Sequence, residues 1–365
     1  MDLKEYRKMP LVTRKVFIDT EFFVKANLDF NSSTIKSFEE LCSDNQLNHI
    51  TTTVVVNEVR RKIIDHIKDA LKGIKNFRRK AAVLKEYDDE SIKSLFTEVN
   101  ESDLEAKALK TFEDFIEASN ATVVDMSRVD GNEIIDMFFN HVSPFSTQKP
   151  NEFRDAFSLL AIRSALEGQE KVYVVSADPD HKAFCEANDR FVNIETLSGL
   201  LDIYNKHNDD RSQFVEQFLN LKKQEIIEQI KSQLEDAESY NSSMWEDAEV
   251  DSFEVAEIED FEPQIVHLDD ESCKVVFDVT VKFLVNVSGP DTANGHYDKE
   301  DGILYTFDSI ERQEEEEKEF SIELDLSFEA DEGEFINDEF VLHVKGLGGG
   351  IEFGVEEYPW EDPRM

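Results

Sequence analysis

Four apolar residues in a row, Val172-Tyr173-Val174-Val175, constrain this chain more than any other stretch. A strand with one wet face alternates polar and apolar residues. A strand that is apolar on both faces has to be covered on both, as in a parallel sheet flanked by helices. Val16-Phe17-Ile18 is a second run of this kind. Both end in acids: Asp19 follows the first, and Ser176-Ala177-Asp178-Pro179-Asp180 follows the second. An acid at the carboxyl end of a buried strand lies where open α/β sheets place their ligand sites.

The intervening pattern alternates. Ile35, Phe38, Leu41 and Cys42 recur at helical spacing in residues 32–45, and residues 49–52 read as a second strand. Thr52 or Thr53 then caps a helix through Val59, Ile63, Leu71 and Phe77 to about Tyr87, with an outer face rich in Lys and Arg. Helices follow over 90–99, 102–119 and 131–139, with a strand over 121–124 between the last two. Residues 147–155 open an apolar helix that Gly168 stops, and helix 179–187, strand 191–194 and helix 197–204 complete the series. Residues 21–30 read as a connection. Such alternation predicts a parallel sheet covered on both sides. Residues 209–238 read as a long polar helix, a spacer between domains. From Asp251 the apolar period changes to two, as in an antiparallel β domain with acidic outward faces. The run Glu314–Glu317 reads as a solvated loop.

Charge divides the chain at the same place. The net charge is −42 over 365 residues; residues 241–365 carry 37 acids against 7 bases, net −30, and the first 240 carry 44 against 32, net −12. The expected organisation is a domain over 1–207 with a helical insertion at about 68–120, a helical linker over 208–245 and an acidic β-rich domain over 246–365. Strong acidity disfavours a passive polycationic nucleic-acid binder without excluding a local basic groove. Three scattered cysteines fit neither a disulfide framework nor a zinc site and suit a reducing, cytoplasmic setting. The N-terminal residues lack a signal peptide's apolar core, and no apolar run reaches the length of a membrane span.

Asp19, Glu58, Asp155, Asp178 and Asp180 stand at strand ends or on the first turns of helices. Carboxylates gathered in one place raise one another's pKa, and a hard divalent cation such as Mg²⁺ or Mn²⁺ relieves the repulsion. Each acid alone reads as a cap, a loop acid or a solvated side chain; their order lifts the set. Phe17-Ile18-Asp19-Thr20, Val55-x-x-Glu58, Phe153-Arg154-Asp155-Ala156 and Ser176-Ala177-Asp178-Pro179-Asp180 resemble the four acidic motifs of PIN-domain ribonucleases. The segment from Lys149 to Phe157 most resembles a bacterial branch of PIN-like proteins. The resemblance spans about residues 14–205. It implies a 5′-nuclease-like parallel sheet and metal-dependent hydrolysis of RNA by an endoribonuclease. Asp19, Glu58, Asp155 and Asp178 would be the catalytic metal ligands, Asp180 an auxiliary one, and Thr20 and Ser176 would orient carboxylates.

Two departures stand out: Glu21 replaces the family's usual Asn or Ser, and the insertion exceeds the small members. Lys149 and Arg154 flank a proposed ligand and read as phosphate contacts, with Arg60 and Arg61 on the basic helix as further ones. Phe22, Phe23, Phe138, Phe139 and Phe145 could stack bases, though most read as core; His66 and His181 are assigned no chemistry. The competing functions are a DNA nuclease of the 5′-nuclease-like type and a silent module whose acidic domain binds a protein partner or self-associates.

Overall fold

A computed structural model describes residues 10–86, 90–208, 211–299, 302–331 and 334–358. The chain divides into two compact units, residues 1–207 and 208–365. Among the described residues no helix is long and apolar enough to cross a membrane.

The first unit is built on five strands: β1 (Lys15–Ile18), β2 (Asn48–Thr52), β3 (Thr122–Val124), β4 (Val172–Val175) and β5 (Phe191–Ile194). They lie in the order β3-β2-β1-β4-β5, and every pairing is parallel. Val16, Phe17, Ile18 and all four residues of β4 are buried, as strands covered on both faces must be. The helices are α1 (Thr20–Lys25), α2 (Ser33–Ser43), α3 (Thr53–Lys80), α4 (Glu90–Leu95), α5 (Glu101–Ala118), α6 (Gly131–Phe139), α7 (Phe153–Ala165), α8 (Pro179–Glu186) and α9 (Leu197–Asn208). The strand order runs outward in both directions from the β1–β4 pair. That pair is the topological switch point, where the loops leaving the two strands diverge and open a crevice.

Local chemistry sets the helix starts that matter. Asp19 caps α1 by accepting from the Thr20 amide at 2.7 Å, so the segment read as a connection begins with a helical turn and a half. Thr52 caps α3 by accepting from the Val55 amide at 3.2 Å, and its hydroxyl meets that of Ser158 in α7 at 3.1 Å. Asp178 caps α8, with Pro179 in the first turn, where its missing N–H costs nothing.

The insertion is a helical hairpin. α3 and α5 run antiparallel, with Arg60–Glu113, Lys68–Glu105 and Lys75–Glu101 ion pairs across their facing sides. Phe112 and Phe115 anchor α5 in a buried ring cluster with Phe23 and Phe30. Phe145 is likewise buried, packed on Phe138 and Phe153 at the entry to α7. Phe139, in contrast, is 72 % exposed.

The second unit comprises α10 (Arg211–Glu235), β6 (Ser239–Asn241), β7 (Glu249–Glu259), β8 (Gln264–Leu268), β9 (Ser272–Pro290), β10 (His296–Asp298), β11 (Ile303–Tyr305), β12 (Ser309–Asp331), β13 (Glu334–Val344) and β14 (Ile351–Phe353). Its main sheet is antiparallel, β13-β12-β9-β7, with β8 pairing β9 beyond the end of β7. Two expectations are corrected here. Glu314–Glu317 is not a loop: these residues lie in β12 opposite Lys282–Val285 of β9, because the ladder extends well past its apolar segment. Nor is the long helix a spacer. Val215, Phe218, Leu219, Ile226, Ile230 and Leu234 of α10 share one buried core with the alternate residues Val275 to Val287 of β9. The Gln233 side chain also bonds the backbone of β13, donating to Leu342 O at 2.8 Å and accepting from Val344 N at 3.1 Å.

Candidate metal centre

The carboxyl ends of β1 and β4 deliver the site. The Asp19 amide still bonds Val175 O, at 3.1 Å, so its side chain projects from the last rung between the two strands. α7 contributes Asp155 from its first turn, and α8 contributes His181 from its own. Asp19, Asp155 and His181 each present one donor atom, all within 4.8 Å of one another. His181 is therefore part of the site, contrary to its dismissal from the sequence. It follows Asp178 by three residues, so one turn of α8 turns its ring inward over the crevice.

The remaining acids approach from two sides. Glu58 on α3 accepts from the Thr20 hydroxyl at 3.1 Å and pairs with Arg154 Nη1 at 2.6 Å. Thr20 thus orients Glu58 through its hydroxyl and Asp19 through its amide. Asp178 accepts the Asp180 amide at 2.7 Å and the Lys149 ammonium at 2.7 Å. Asp180 accepts from the Ser146 hydroxyl at 3.4 Å. Neither Asp178 nor Asp180 joins the tight cluster of three. Ser176 is a hub: its hydroxyl contacts Asp19 Oδ2 at 3.4 Å, the Asp178 amide at 3.2 Å and His181 Nδ1 at 2.8 Å. Glu21 pairs with Lys25 at 2.9 Å on the outer side of α1.

Of the basic residues, Lys149 and Arg154 lie at the acids they were expected to flank. Arg60 does not: it stands two residues from Glu58, so it points to the far side of α3 and pairs with Glu113 at 2.9 Å. Arg61, one turn beyond Glu58, is exposed and lies 3.7 Å from Asp65. Glu152 is a further acid that the sequence does not single out; it precedes Asp155 by one helical turn and helps to hold its pKa up.

The electrostatics are those of a cation site. Burial pushes the Asp19 carboxyl above its ordinary range, against the opposing pull of His181 and the Thr20 amide. Burial also pushes Asp155 up to about 9, helped by the Glu152 hydrogen bond and by the negative charges of Asp19, Glu152 and Glu58. At Asp178 burial acts upward too, but the Lys149 ammonium and the Asp180 amide outweigh it and hold the pKa low. Among the described residues Asp19 and Asp155 are reluctant anions with no Lys or Arg ion pair, whereas Asp178 has the Lys149 ammonium. A divalent cation fits that donor set.

A sign follows. Asp155 keeps its proton to a higher pH folded than unfolded, so its ionisation costs stability as pH rises from its ordinary 3.8 toward about 9, and Asp19 adds in the same direction. A bound cation needs both ions and cancels the cost. Mn²⁺ should therefore raise the melting temperature by roughly 5 °C at pH 8 and by less than about 2 °C at pH 6, in differential scanning fluorimetry. An equal or larger gain at pH 6 would contradict this account.

Residues 16–181 match the family model described as PIN domain. No curated protein and no solved structure matches the chain.

Proposed function

The N-terminal unit belongs to the PIN-domain family, a family of nucleases, and on that premise we propose that the chain is a metal-dependent endoribonuclease. The observation that carries the reading is the convergence of Asp19, Asp155 and His181 within 4.8 Å at the β1–β4 switch point.

Asp19 and Asp155 would hold the ion, Mg²⁺ or Mn²⁺, with Glu58, Asp178 and Asp180 as the surrounding acids. A bound divalent ion supplies an activated water and neutralises charge building on the phosphodiester. The chain's own residues prepare the place. Ser176 and the Thr20 amide fix the two oxygens of Asp19 in different directions. The Thr20 hydroxyl and Arg154 do the same for Glu58. Lys149 and Arg154 are 46 % and 69 % exposed at the side chain, so both can turn from their carboxylates to a phosphate. Arg61 stands next along α3, and Arg60, paired with Glu113, lies on the far side of that helix. Phe145 and Phe153, at the entry to α7, pack on each other with ring centroids 5.0 Å apart and do not offer a free stacking face between them.

The test is a matched substrate panel: one linear RNA, the same RNA circularised, and the DNA of identical sequence, each with Mn²⁺, Mg²⁺ or a chelator. The expected result is metal-dependent cutting of both RNAs, the circle requiring internal cleavage, with the DNA intact. Equal cutting of the DNA would favour a 5′-nuclease-like DNA enzyme. No cutting of any substrate by protein that binds Mn²⁺ would favour a silent module, with binding to a partner as its role.

A further inference from the structure

The hydrogen-bond inventory around Ser176 says which face of His181 is free. The Ser176 oxygen has two lone pairs and one proton. It accepts from the Asp178 amide at 3.2 Å and lies within donating reach of Asp19 Oδ2 at 3.4 Å. One lone pair then remains, and His181 Nδ1 is 2.8 Å away to fill it. With the Ser176 proton turned to Asp19 and the ring neutral, Nδ1 donates to Ser176 Oγ and Nε2 keeps a lone pair.

That lone pair faces Asp155 Oδ1 at 3.8 Å. The separation is too long for a hydrogen bond, and Nε2 makes no other among the described residues. The ring is 3 % exposed, so solvent does not satisfy it freely. Asp155 thus lies at the Nε2 side of the ring and Asp19 at its Nδ1 side, with Oδ2 3.7 Å from Nδ1, and one donor atom from each of the three residues falls within 4.8 Å of the others. A cation among the three would gain all of these donors at once. The outer half of the motif is also in place: an imidazole that binds metal through one nitrogen donates its other N–H to an oxygen that fixes ring and tautomer. Here that oxygen is Ser176 Oγ.

We propose that His181 is a metal ligand through Nε2, and that its nitrogen turns the site from an all-oxygen Mg²⁺ site into one that prefers Mn²⁺. This rests on the reading of the cluster as the nuclease's cation site and deepens it. Mg²⁺ favours oxygen donors and retained waters, whereas imidazole nitrogen favours first-row transition ions. Ser176 becomes a positioning residue that acts through His181.

Two measurements on the full chain test it. The first is pulsed EPR of the Mn²⁺-loaded wild-type protein, which reads nitrogen coupling directly. A coupling of imidazole type, absent in His181→Asn, is expected; bound Mn²⁺ without nitrogen coupling overturns the assignment. The second is calorimetric titration of Mn²⁺ and Mg²⁺ into wild type, His181→Asn and His181→Asp. His181→Asn should weaken Mn²⁺ by about tenfold or more and Mg²⁺ by less than about threefold. His181→Asp, an oxygen donor, should bring the two affinities together while keeping Mg²⁺ binding. Parallel losses for both ions would make His181 a merely structural neighbour. Asp19→Asn separates the failures. If it leaves Mn²⁺ affinity unchanged, the cation site itself is wrong; if it abolishes binding while nitrogen coupling is absent in wild type, only the histidine assignment falls.

Discussion

Asp19→Asn should lower the rate of RNA cleavage by about 10³-fold or more, a loss on the scale of removing a principal charge-stabilising group from an active site. The substitution keeps shape and cap: an Asn side-chain oxygen still accepts the Thr20 amide, as Asp19 Oδ1 does. It removes the charge that the ion needs. Folding should not suffer, because burial already makes the Asp19 carboxylate costly. The neutral amide should leave the melting temperature of metal-free protein unchanged or higher. Steady-state cleavage of a fluorogenic RNA, beside a melting curve, checks both halves. A variant that cuts as fast as wild type would remove Asp19 from the chemistry; one that is inactive and unfolded would show that the residue is structural first.

The second large effect belongs to the other unit. Ile230 is fully buried between α10 and the sheet. Ile230→Ala should cost about 3 kcal/mol, the middle of the range for emptying such a site. The matched control is Leu221→Ala on the same helix, 82 % exposed, which should stay within about 0.5 kcal/mol of wild type. Trp245, buried in the same core, reports the transition in a urea titration followed by fluorescence. If Ile230→Ala behaves like its control, α10 is the spacer that its polar sequence suggests. The expected loss would mean that any cut made after the helix removes part of a hydrophobic core.

What the sequence made readable, and what it concealed, follows from how far each signal reaches. β1 and β4 announce themselves because a run apolar on both faces has few alternatives. The acids at their ends inherit that clarity. α1 is hidden because six residues contain too little periodicity, and only the Asp19 cap reveals its start. The apolar stripe of α10 is visible, but a stripe does not say what it packs on. Glu314–Glu317 looks like a loop because charge outweighs pattern over four residues, while the pairing that holds it comes from β9, more than twenty residues earlier in the chain. His181 is concealed for another reason. Spacing from Asp178 places it one turn along α8, but whether that turn faces crevice or solvent depends on how the helix lies on the sheet. Arg60 is the converse case, since a basic face counted by composition does not show that α5 pairs with part of it.

The long antiparallel sheet has three outer strands, β7, β8 and β13, and each is a standing invitation to another chain's backbone. Two of them carry features that oppose such pairing. β7 breaks register twice, between Val250 and Ser252 and between Val255 and Glu257, and carries Glu249, Asp251, Glu254, Glu257 and Glu259 along its length. Bulges twist an edge away from a flat partner, and like charges repel a second copy of the same strand. β13 is stopped differently: the Gln233 amide occupies the outward carbonyl of Leu342 and the outward N–H of Val344, as one more strand would. Part of the acidity that sets this half of the molecule apart therefore lies along an outer strand, where Lys282 pairs with Glu257 and Glu259 and the other acids oppose the approach of a like strand.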